Sequence, residues 1–282
     1  MKYIAHEKSF PAYTGLTIHQ IYEAIRSAGY LPHWVGAKNI SFFKTLLKIN
    51  LDSGFPVILI INIGNAYHAV CVAGYKSNQK IIPYFTHDGP KLTFYTWDFD
   101  KIYIHDDRLG PYARATFKLG TKGEIKLLIQ TSAGTEDWNV NYFISPLYEK
   151  IRSYDSDQNE KAVRFTGYLH NELLKNNLVT QDEFLTQTIF IKGGDVLYHV
   201  SKTDHVRPEV KIKFLKKIQL SRYVGFSTVL TKDGIPLFTL LYDSTDFYKG
   251  DILEGLLGII CYQDYLRNFL SPLEKINKVA II

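Results

Sequence analysis

Histidine 68 lies near the start of an apolar run, between Tyr67 and Ala69. An imidazole there is either a core residue with its polar atoms satisfied or a base that removes a proton. The base reading needs a second group. An imidazole accepts a proton only if its other ring nitrogen is held in one tautomer, and a neighbouring carboxylate does that. The run Lys101-Ile102-Tyr103-Ile104-His105-Asp106-Asp107-Arg108 offers two such carboxylates at the end of another apolar stretch. Together His68 with Asp106 or Asp107 would activate a nucleophile. His68, His105 and the two aspartates also invite a metal reading, but spacing alone shows no preformed site, and no metal or other cofactor is assigned. Salt bridges from the aspartates to Arg108 or Arg114 are a further use for them.

The elements that must position these groups are legible around them. Val57–Ile63 is a β-branched and leucine run of the kind that is buried on both faces. Gly64-Asn65 is a turn pair, and Ala66–Tyr75 follows as a second strand. Ahead of them, Thr17 and Gln20 have capping-box spacing before an apolar stripe of Ile18, Ile21, Tyr22 and Ile25, and Gly29 supplies the stop. Ser41–Leu51 reads as a second helix. Two helices followed by antiparallel strands suit an α+β domain.

The sequence Ser53-Gly54-Phe55-Pro56-Val57, an apolar strand, a turn, His68-Ala69-Val70 and then Gly74-Tyr75 resembles the second half of a papain-like cysteine peptidase domain. Within that superfamily it is most similar to the bacteriocin-processing, C39-like branch, over roughly residues 15–114. The resemblance implies a papain-like half-domain with an antiparallel sheet, His68 as general base and an orienting aspartate on a following strand. Aligned residue by residue that aspartate is Asp106, with Asp107 where a proline is usual.

The resemblance also implies a cysteine at the start of a helix, well ahead of the base, its thiol pKa lowered by the helix dipole and the imidazole. No cysteine precedes His68: the two in the chain are Cys71 and Cys261. Cys71 follows His68 by three positions on one strand, so alternation sends the two side chains to opposite faces. Both cysteines read as small buried apolar residues. The segment ahead of Gly15 has neither a cysteine nor a helical apolar period, so relative to the family the chain is expected to start after the nucleophile helix. The nucleophile is not identified. The expectation is a non-catalytic papain-like protein, a pseudo-peptidase, that binds a peptide or protein partner. The alternative is a cysteine peptidase or amidase half completed by a thiol from another chain or from an unrecorded N-terminal extension.

Composition narrows the remaining classes. The net charge is +5, with lysines spread along the chain, so no nucleic-acid footprint is indicated. The short basic run Lys211–Lys217 reads as a solvated face. Two cysteines give no disulfide framework, and no signal-like or membrane-length apolar segment is visible, so a reducing, cytoplasmic setting is expected with no membrane partner.

Residues 1–152 are expected to form the C39-like part, and residues 153–282 an α+β region of unknown role. Local expectations for the rest are an extended or loosely packed segment over residues 1–13 and a connection or short edge strand over Tyr30–Trp34. Polar turns or loops are expected at Lys76–Lys80, His87–Pro90 and Thr131–Asn139. The second part reads as a helix over Lys161–Asn176, two short strands around Gly193-Gly194, a helix over Glu209–Leu220, and a strand hairpin turning at Lys232-Asp233-Gly234. Asp243 and Asp246 read as loop caps, and a short helix is expected over Gln263–Leu270.

Overall fold

Helix α1 (Ile18–Ser27) starts where the Thr-x-x-Gln pattern places it. The Thr17 hydroxyl accepts from the Gln20 amide at 3.3 Å, and the Gln20 side chain accepts from the Thr17 amide at 2.7 Å. The computed structural model describes residues 16–64, 66–87, 92–179, 182–202, 206–247, 250–276 and 279–282. The expected loose segment over residues 1–13 and the greater part of the His87–Pro90 loop lie outside them. Among the described residues there are twelve strands and six helices. After α1 come β1 (Tyr30–Gly36), α2 (Ile40–Asp52), β2 (Val57–Ile63), β3 (Ala66–His87), β4 (Leu92–Asp106), β5 (Gly110–Leu119), β6 (Ile125–Thr131) and β7 (Gly134–Tyr148).

Strands β2 to β7 pair antiparallel in chain order. Strand β7 then pairs with β2, from Ile58 opposite Ile144 to Asn62 opposite Asn139, and closes a six-stranded barrel. Alternation fixes which side chains fill it. On β2, Val57, Leu59 and Ile61 join the inner core with Val70, Val72, Ile104 and Trp138. Ile58 and Ile60 point outward, where Ile21 and Ile25 of α1 cover them beside Ile144. Helix α2 packs Phe43 against Phe117 and Phe143, and β1 adds to the outside of β7.

Two turn expectations are corrected here. Lys76–Lys80 is not a turn between strands: β3 runs through it as one 22-residue strand. The register slips between Ser77 and Ile81, and Gln79 takes φ 60°, so the extra residues are absorbed as a bulge. The polar stretch Thr131–Asn139 is not a loop beyond its first residues, because β7 begins at Gly134 and pairs with β6. Asp137 and Asn139 point outward and Trp138 and Val140 inward on a strand, which the composition of the segment conceals.

The chain continues as α3 (Asp155–Lys175), β8 (Glu183–Lys192), α4 (Gly193–Ser201), α5 (Pro208–Lys217), β9 (Tyr223–Thr231), β10 (Pro236–Asp243), β11 (Leu256–Cys261), α6 (Asp264–Ile276) and β12 (Ala280–Ile281). Strand β8 joins the first half of β4 in parallel, Thr93 to Tyr95 against Glu183 to Leu185, and β9 to β12 extend the sheet from there. Leu169, Leu173, Leu266 and Leu270 from α3 and α6 share one core with β10 and β11. Val196, Val200 and Phe214 from α4 and α5 share another with Val224, Leu241 and Ile260. The hairpin around Lys232–Gly234 forms as expected, and Asp243 accepts from the Thr245 amide at 2.7 Å in the capping role.

Gly193-Gly194 is a further correction: it opens a helix rather than turning between two strands. A Cβ on Gly193 would stand 2.2 Å from the Ser221 carbonyl oxygen, so the glycine serves a close backbone approach. The architecture is mixed α and β, dominated by one large, mostly antiparallel sheet.

Candidate active site: a histidine–aspartate pair at one barrel end

The turns β2–β3 and β4–β5 lie at the same end of the barrel, and they bring His68 and Asp106 together. Asp106 pairs with Gly110 across the β4–β5 turn. One of its carboxylate oxygens, Oδ1, accepts from the backbone amides of Arg108 and Leu109, both at 2.8 Å. That is ordinary turn chemistry for aspartate, and it leaves Oδ2 aimed at His68. The His68 Nε2 to Asp106 Oδ2 distance is 2.6 Å.

The Asp106 side chain is fully buried and that of His68 is 21% exposed. Burial alone would raise the Asp106 pKa. The hydrogen bonds from His68 and from the Leu109 and Arg108 amides outweigh it and hold the carboxyl below its ordinary value. An ionised Asp106 accepts only, so Nε2 carries a proton, and in the neutral imidazole the lone pair is then on Nδ1. Among the described residues Nδ1 has no hydrogen-bond partner.

Asp107 is placed differently. Its carboxylate is 81% exposed and reaches His68 Nε2 at 3.3 Å. The structure thus brings all three predicted residues together, with Asp106 rather than Asp107 holding the buried, amide-fixed position. His105 is not part of the group. It sits one residue from Asp106 on β4, so it faces outward, opposite Cys71 in the strand register and with its ring 4.7 Å from that of Tyr112.

Three further residues enclose the pair, and the sequence reading does not single them out in that role. The Trp138 ring stands edge-on to His68, 6.3 Å between centroids, and is 1% exposed. Its indole N–H donates to Glu136 Oε2 at 3.0 Å. The Arg108 guanidinium lies 5.7 Å from the Trp138 ring centre and 3.5 Å from Glu136 Oε2. The loop residue that donates its amide to Asp106 is therefore tied by its side chain to the wall beside His68. The signal for Glu136 and Trp138 was their i, i+2 spacing, which puts both on one face once that stretch is read as a strand.

The cysteines lie elsewhere. Val70 and Val72 point inward with His68, whereas Cys71 points out of the barrel, as alternation requires. It is exposed, which corrects the expectation of a buried residue: the outer face of β3 is open at that position. The packed strand around it still pushes its thiol pKa up by desolvation. Exposure decides whether a reagent reaches the sulfur, and desolvation how little thiolate is present. Cys261 is fully buried in the second half, its thiol pushed up to about 12 by burial.

Among the described residues no helix is long and apolar enough to cross a membrane. No family model matches the chain, and comparison with curated proteins and with solved structures returned no match.

Proposed function

We propose that this chain carries the base half of a papain-like, thiol-dependent acyl-transfer site, with His68 as general base and Asp106 as its orienter. The thiol would come from another polypeptide segment. One observation carries the reading: a buried carboxylate, held below its ordinary pKa, occupies one imidazole nitrogen, and among the described residues the other nitrogen has no hydrogen-bond partner. A closed antiparallel barrel with the pair at one end supports it, as does the sequence resemblance over residues 15–114. The substrate class is a peptide, amide or thioester carbonyl.

The test needs no knowledge of the partner. A small free thiol is offered to the purified chain with an activated ester, and thioester formation is followed. A positioned base contributes roughly 10²–10⁴-fold in a complete site, so a His68-dependent gain of about tenfold is expected for an unanchored thiol. His68→Ala should abolish the gain. Equal rates for the wild type and His68→Ala, both natively folded, would remove the base reading.

The second reading is a pseudo-peptidase that binds a peptide or protein partner without catalysis. The position of Cys71 favours it, since neither cysteine of this chain lies on the His68 side of the barrel wall. Exposed Trp34 and Tyr67 give such a partner aromatic surface.

A further inference from the structure

We propose that His68, Asp106 and Asp107 form a site for a divalent transition-metal ion, and that an ion bound there switches the base off. Two carboxylate oxygens converge on one ring nitrogen, Asp106 Oδ2 at 2.6 Å and Asp107 Oδ1 at 3.3 Å. One N–H satisfies one of them. Among the described residues Asp107 makes no other ion pair or hydrogen bond, so its charge is left facing the shared nitrogen. The three potential ligand atoms lie within 4.8 Å of one another.

Zinc binds nitrogen and carboxylate oxygen at about 2.1 Å, which sets tetrahedral ligands about 3.4 Å apart. The Asp107–His68 separation already has that value. The Asp106–His68 separation has to open by less than about 1 Å to reach the same spacing. Asp106 is held by the Arg108 and Leu109 amides through its other oxygen, so Oδ2 stays in place as a ligand. One imidazole with two carboxylates suits zinc, manganese or cobalt better than calcium or magnesium, which prefer all-oxygen shells. The exposure of Asp107 gives the ion its way in.

The consequence for the base follows from proton bookkeeping on the ring. In the neutral ring without metal, the Asp106 contact places the proton on Nε2 and Nδ1 accepts. A metal takes the Nε2 lone pair, so the Nε2 proton leaves to water and Nδ1 gains one. The ring stays neutral, but Nδ1 is now a donor and no longer removes a proton from a thiol. This second half rests on the acyl-transfer reading; the ligand set does not.

Cobalt(II) absorption and zinc calorimetry on the chelator-treated chain test both halves. The wild type should bind one ion per chain. Asp107→Asn should weaken binding by about tenfold or more and His68→Ala should abolish it, in line with the sensitivity of such sites to their ligands. In the thiolysis assay zinc should inhibit the wild type with the midpoint of binding, and Asp107→Asn should need proportionally more zinc, each rate read against the same protein without metal. No binding by the wild type at millimolar metal, or equal binding by all three proteins, would overturn the site. Binding with the expected variant dependence, together with metal-free thiolysis that ignores His68, would keep the site and remove the switch and the base reading.

Discussion

Among the described residues, the His68–Asp106 and His170–Asp182 pairs are of nearly equal length, and they are built in opposite ways. At the barrel end the carboxylate is the buried partner, pinned by two backbone amides, and the imidazole edge is open. In the second half His170 of α3 donates to Asp182 at 2.7 Å, but there the imidazole is 11% exposed and the carboxylate 53%. The first arrangement fixes a charge and leaves the ring partly open, as the proposed base would require. The second hides a ring, packed against Phe184, and fastens the helix to the chain just ahead of β8. Distance alone does not separate the two pairs; which partner is buried, and what holds it, does.

The largest effect that would break this contrast is expected from Asp106→Ala. It leaves two backbone amides and the His68 N–H without their acceptor, and should cost about 2–4 kcal/mol of stability in urea unfolding as well as the His68-dependent thiolysis. An unchanged midpoint would show that the carboxylate is not the anchor the geometry makes it.

The contrast sharpens with pH. The folded Asp106 pKa lies below the unfolded value, so its stabilisation is fully present above the ordinary carboxylate range and is lost as pH falls through the folded value. The stability gap between wild type and Asp106→Asn should therefore be constant near neutrality and shrink below about pH 4. A gap that shrinks instead as pH rises would reverse the sign of the argument.

His170→Phe should cost about 1 kcal/mol and loosen amide exchange at the end of α3, with thiolysis untouched. Loss of thiolysis there would blur the two pairs into one system. The smallest effect is expected from Cys71→Ala, with the same thiolysis rate and less than about 0.5 kcal/mol change in stability, because the side chain faces outward at an exposed position.

Legibility followed the range of the interactions. The capping box of α1, the β2–β3 pair and the hairpin at Lys232–Gly234 are local, and their residue patterns state them. A carboxylate at the end of β4 was also legible, but the residues alone left Asp106 and Asp107 open, because which of two adjacent side chains turns inward depends on the turn that follows. Barrel closure was not: Ile58 meets Ile144 across a separation that no periodicity encodes. Gln79 and Gly193 misled for a related reason. Polar and glycine residues mark departures from regular backbone, but whether the departure is a bulge, a turn or a close approach is decided by the neighbour, Trp97 across from Ile81 in one case and the Ser221 carbonyl in the other. Cys71 was assigned by residue type, and residue type does not say which side of a wall has a cover.

Strand β4 belongs to both halves, with Asp106 at its far tip and Thr93–Tyr95 paired with β8 near its start. A fragment trimmed near Ser153 would bare that paired edge together with Phe94 and Leu92, both completely covered in the intact chain. Such a raw, greasy edge invites self-association. The first 152 residues made alone are expected to precipitate, whatever chemistry their barrel end retains.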